Sequence, residues 1–93
     1  MSSPGRREAT VTIINKRGLH ARASAKLVEA AARFKSTINV IKDGQTVDAR
    51  SIMGLMMLAA SPGSEITISA EGSDCEEALT AILALVEAKF GEE

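Results

Sequence analysis

The apolar residues of this chain change period along its length, from two to about 3.6 and back, and the order of those changes constrains the fold most. From Glu8 to Ile14 they alternate, with Ala9, Val11 and Ile13 on one face and Thr10 and Thr12 on the other. That pattern predicts a strand covered on one side. From Ala21 to Phe34 the spacing turns helical, with Ser24, Leu27, Val28, Ala31 and Phe34 forming the stripe. Alternation resumes over Ser36–Lys42, around Ile38 and Val40, and again over Gln45–Ala49, around Val47 and Ala49. Asp43-Gly44 between those two runs is a strong signal for a two-residue hairpin. Residues 51–58 are short, apolar and helix-compatible, with Ser51 positioned as the cap. A turn at Ser61–Ser64 precedes a last strand over Glu65–Glu71, with Ile66, Ile68 and Ala70 inward. Ser73 and Glu76 fit a capping box that opens a final helix. Leu79, Ile82, Leu83, Val86 and Phe90 are its stripe, and Gly91 is its stop.

The resulting order is β-α-β-β-α-β-α, and every element has one apolar face. An α+β open-faced β-sandwich satisfies all of them: a four-stranded antiparallel sheet covered on one face by three helices. The first and last helical connections of the sheet then act as split β-α-β crossovers. Residues 1–7, polar and containing Pro4 and Gly5, read as a flexible tail, and residues 8–93 as a single domain.

Composition narrows the function classes. A net charge of −1, from 11 basic and 12 acidic residues, gives no footprint for nucleic acid. Phe34 and Phe90 are the only aromatic residues, so base-stacking platforms are missing too. No apolar run has the length of a membrane span, and the first residues do not resemble a secretory signal, so no membrane insertion is expected. Cys75 stands alone, which excludes an internal disulfide and suits a reducing cytoplasm. With one histidine and one cysteine, no metal site is expected, and no cofactor is called for.

His20 is that single histidine, and it lies where the strand pattern gives way to the first helix pattern. Most lone histidines are loop or cap residues without chemistry. This one has unusual surroundings. Imidazole is largely neutral near pH 7 and attacks through either ring nitrogen. The start of a helix supplies unpaired N–H groups and positive potential, a ready anion site. Arg22 adds a fork of donors suited to phosphate oxygens, and Arg17 adds local positive charge. The site is expected to be shallow and open. Ser51 reads as the N-cap of the short helix that follows. The helix that it opens is too short to bury all its large side chains. Ile52, Met53 and Met56 are therefore expected to stay partly exposed as an apolar docking patch, ringed by Arg22 and Arg50. Cys75, in the first turn of the last helix, reads as a small helix residue.

Residues 18–25, Gly-Leu-His-Ala-Arg-Ala-Ser-Ala, resemble the active-site motif of the HPr family, the histidine-containing phosphocarriers of the bacterial phosphoenolpyruvate:sugar phosphotransferase system. Residues 50–56, Arg-Ser-Ile-Met-Gly-Leu-Met, are similar to its second signature, around a regulatory serine, and residues 67–72 to its last strand and turn. The likeness runs from Glu8 to Phe90. It implies the same open-faced sandwich, with His20 as phosphoryl acceptor, Arg22 assisting, and Ser51 as the target of an HPr kinase/phosphorylase. It also implies enzyme I as donor, IIA components as acceptors, and a monomeric phosphoryl carrier that is not itself an enzyme. Many members carry proline after the arginine, where this chain has Ala23. Two other readings stand beside it. One is a nitrogen-branch paralogue that serves regulatory partners; the other is a small-molecule-binding regulatory domain of similar architecture.

Overall fold

The computed structural model describes residues 5–92. Its strands are β1 (Arg6–Thr12), β2 (Thr37–Lys42), β3 (Gln45–Asp48) and β4 (Glu65–Glu71); its helices are α1 (Ala21–Ala31), α2 (Ile52–Met57) and α3 (Cys75–Glu87). The sheet order is β1-β4-β2-β3, with every pairing antiparallel. The last strand therefore slots between the first two, which is what makes both crossovers split. β1 begins at Arg6, so two residues read as tail belong to the sheet, while Met1–Pro4 lie outside the described residues.

The hairpin forms at Asp43-Gly44, where Lys42 pairs with Gln45. Both turn residues have positive φ, 50° and 79°, as a twist-matched two-residue turn demands. One sheet face supplies Ile38, Val40, Ile66, Ile68 and Ala70 to the core, and α1 and α3 cover it with Ala23, Leu27, Ala31, Ala78, Ile82 and Val86. Each large aliphatic side chain buried there contributes about 2 kcal/mol. The opposite face is polar; Thr10 and Thr67, cross-strand partners, share a 3.0 Å hydroxyl contact. No helix among the described residues is long and apolar enough to cross a membrane.

Two expectations for the last helix fail. The capping box does not form: the N-cap is Asp74, and its side chain makes no cap hydrogen bond. Its carboxylate is committed elsewhere, accepting from the Lys35 and Ser36 amides at 2.8 and 2.9 Å and from the Ser36 hydroxyl at 2.5 Å. It thus ties the start of α3 to the entry of β2. The helix also ends early. α3 stops at Glu87, and Phe90 is buried through a separate 3-10 turn over Lys89–Gly91.

The Ser36 hydroxyl above all, and then the Lys35 amide, hold the Asp74 carboxyl below its ordinary value of 3.8, although desolvation pulls the other way. A depressed folded-state pKa adds stability that is present above the ordinary value and lost as pH falls through it and through the lower folded value. Asp74→Asn is therefore expected to lose less stability than the parent between pH 7 and about pH 3 in urea melts. Parallel losses in the two proteins would show that Asp74 carries no pH-dependent stability.

Candidate functional site

The loop from β1 to α1 is pinned residue by residue. Ile13 exchanges backbone bonds with the 61–64 turn, donating to the Ser64 carbonyl and accepting from the Gly63 amide, both at 2.8 Å. Asn15 is buried, and its Nδ2 donates to the Gly18 carbonyl at 2.9 Å. Gly18 adopts φ 62°, with its α-carbon pressed against the backbone of Ala60 and Ser61, so any Cβ would collide with the Ala60 carbonyl. Leu19 is buried; its amide donates to that same carbonyl at 2.9 Å, and its own carbonyl accepts from the Ser24 hydroxyl at 3.1 Å. His20 emerges from this frame in extended conformation as the N-cap of α1, and its carbonyl accepts from the Ser24 amide.

Both nitrogens of the imidazole are committed. Nδ1 accepts from the Arg22 amide at 3.2 Å, the role that a serine or asparagine oxygen plays in an ordinary N-cap. Nε2 lies 3.2 Å from Oε2 of Glu92. A nitrogen facing an N–H holds its lone pair, and one facing a carboxylate carries the hydrogen, so these partners assign the Nε2–H tautomer. The lone pair of Nδ1 then points at the first turn of α1, among amides that lack intrahelical partners.

Glu92 is held as firmly as the histidine. Oε2 also accepts from Asn15 Nδ2 at 3.1 Å, and Oε1 accepts from the Arg17 amide at 3.2 Å. Those donors, Asn15 first, keep the Glu92 carboxyl below its ordinary range against desolvation, so it is ionised at neutral pH. Lys16, Arg17, His20, Arg22 and Glu92 line one shallow surface depression. Arg22 is exposed there, and among the described residues its guanidinium makes no ion pair. Three basic side chains around a partly exposed imidazole can receive an anion and let it go. Ala23 is buried within the first turn of α1.

The other residues singled out from sequence lie on α2, which packs against α1. Ser51 is its N-cap, with Oγ accepting from the Gly54 amide at 3.0 Å. Gly54 comes so close that a Cβ there would lie 3.0 Å from that hydroxyl and 3.1 Å from Val47. Leu55 is buried, whereas Ile52, Met53 and Met56 are exposed by 41%, 74% and 45%, and Met57 joins them at 68%. Arg50, expected at the rim of this patch, donates to the Phe34 carbonyl at 2.7 Å and steadies the turn after α1. Two residues of the site escape a reading of the sequence. Asn15, just before a glycine-containing loop, carries a recognisable turn signal. Glu92 carries none.

Comparison with known proteins agrees with this fold. Residues 7–88 match the family model described as "PTS HPr component phosphorylation site". The chain is 56% identical over 81 residues to the phosphocarrier protein HPr of Cupriavidus necator, covering 87% of this chain and 91% of that one. It is 46% identical to the phosphocarrier protein NPr of Shewanella violacea, over 91% of this chain and 93% of that one. Among solved structures, HPr-C-His from Thermoanaerobacter tengcongensis superposes with a TM-score of 0.90 at 52% identity, covering 94% of this chain and 98% of that chain.

Proposed function

The chain belongs to the HPr family of phosphocarrier proteins, and from that premise we propose that His20 accepts the phosphoryl group through Nδ1. One observation carries this reading: Nδ1 holds its lone pair at the N-terminus of α1, beside the Arg22 guanidinium, which makes no ion pair among the described residues. In the transfer, the donor's bond to phosphorus breaks and its electron pair stays with the donor. The lone pair of Nδ1 forms the new N–P bond, and Nε2 keeps its hydrogen. The Arg22 amide, freed from Nδ1, turns to a phosphoryl oxygen, and the Arg22 guanidinium and the first-turn amides stabilise the remaining charge. The donor is enzyme I and the acceptors are IIA components of the phosphotransferase system, so the chain acts as a shuttled substrate. Its likeness to NPr supports a second class of acceptor, regulatory proteins of the nitrogen branch. The small-molecule-binding reading falls with family membership. The single thiol, Cys75, free and buried, supports a cytoplasmic setting for the relay.

Partners dock through Ile52, Met53 and Met56, an apolar patch on the helix that packs beside the one His20 caps. The complex forms with the chain as a monomer. Ser51 at the head of that helix is the regulatory position, phosphorylated by an HPr kinase/phosphorylase. Phosphate at a helix N-terminus leaves the helix intact and puts negative charge into the docking face. Ser51→Asp, which can still accept from the Gly54 amide, is expected to keep the fold and slow uptake from enzyme I by about tenfold. Unchanged transfer kinetics would remove Ser51 as a control point.

The reading is tested by intact mass after incubation with phosphoenolpyruvate and enzyme I. A gain of one acid-labile phosphoryl group, lost on adding a IIA component, is expected. No gain with a competent enzyme I contradicts it.

A further inference from the structure

The last turn of the chain is built in an unusual way. Lys89, Phe90 and Gly91 adopt left-handed conformations in succession, with φ of 57°, 55° and 74°. Two of them are not glycine, which costs about 1 kcal/mol or more apiece. Burial of Phe90 and a 2.8 Å bond from Lys26 Nζ to the Phe90 carbonyl hold the strained turn closed. The turn reverses the chain after α3 and brings the Glu92 carboxylate to His20, Asn15 and the Arg17 amide. Phe90 already completes the core at this corner; the carboxylate adds contacts only to the loop that carries the histidine.

We propose that Glu92 is a positioning residue for phosphoryl transfer, holding the plane and tautomer of His20 through Nε2–H so that the Nδ1 lone pair faces the incoming phosphorus. This rests on His20 being the acceptor. Without Glu92, a single 3.2 Å bond from the Arg22 amide orients the ring, and that bond must break as the N–P bond forms. The grip on Nε2 is the one that survives the reaction. It also meets the charge that develops: the ring becomes cationic as Nδ1 bonds to phosphorus while Nε2 keeps its hydrogen, and the carboxylate faces that nitrogen. The protein thereby fixes its nucleophile from the side opposite to the chemistry, which leaves the Nδ1 side open to both partners. Asn15 serves the same end one step further out, since its amide bridges the Gly18 carbonyl and Glu92.

The test compares the full chain with Glu92→Ala and Glu92→Gln, using phosphorylated enzyme I as donor. Glu92→Ala is expected to lower kcat for uptake about tenfold, as loss of one charge-assisted hydrogen bond does, with KM within about twofold. In 1H–15N spectra the Nε2–H resonance of His20, visible in the parent, should broaden away in this variant. Glu92→Gln keeps an oxygen for Nε2–H but sets an NH2 group against the Arg17 amide, so its rate should fall between the two. An unchanged kcat in Glu92→Ala, or a loss carried wholly by KM, overturns the positioning role while leaving His20 as acceptor. A parent chain that takes up no phosphoryl group overturns both.

Discussion

His20→Ala is expected to take up no phosphoryl group from enzyme I, with transfer falling by at least about 10⁴-fold. The depression holds no replacement nucleophile. Its other side chains are the basic Lys16, Arg17 and Arg22, and Glu92, which is tied to the Asn15 side chain and the Arg17 amide. The substitution also removes the N-cap of α1, since Nδ1 accepts from the Arg22 amide, and that costs about 1 kcal/mol of stability. His20→Asn separates the two effects. Asparagine caps a helix as well as any residue, so this variant should melt like the parent and still carry nothing. Phosphoryl uptake by either variant in a mass measurement would move the acceptor away from His20.

The second large effect is on the frame around the histidine. Gly18→Ala is expected to destabilise the protein by about 3 kcal/mol, from left-handed strain and from collision with the Ala60 backbone. Gly44 has a similar positive φ, 79°, but nothing lies within 4 Å of where its Cβ would stand. Gly44→Ala should therefore cost only the conformational share, about 1 kcal/mol. Gly18→Ala should also slow phosphoryl uptake, because the contact it disturbs carries the Leu19 amide to the Ala60 carbonyl and so sets where His20 begins α1. Equal losses from the two substitutions in chemical denaturation would mean that close packing does not select glycine at position 18.

Legibility in the sequence tracks how local the determining physics is. β4 runs over Glu65–Glu71, the span its alternation marks, and the hairpin falls at Asp43-Gly44, because period and turn chemistry are both written within a few residues. His20 and Ser51 are readable as helix starts for the same reason, and the family motif adds chemistry that periodicity cannot supply. The end of α3 is different. Its apolar stripe continues in sequence through Phe90, but the chain buries Phe90 by a left-handed turn, a conformation that neither Lys89 nor Phe90 advertises. The apparent capping box fails because Asp74 finds better donors at Lys35 and Ser36, which only the folded chain brings near. Glu92 is the extreme case. It meets Asn15 across 77 positions, and an acidic residue near the end of a chain has no pattern that points to an imidazole.

Everything proposed for this site turns on Nδ1 of His20 being the atom that carries phosphorus. Long-range 1H–15N correlation spectra of the 15N-labelled chain, phosphorylated by enzyme I and phosphoenolpyruvate, report which ring nitrogen bears the group. Phosphorus is expected on Nδ1, with the hydrogen retained on Nε2 facing Glu92. Phosphorus on Nε2, or an unmodified His20 ring in a chain that has gained a phosphoryl group, would contradict it.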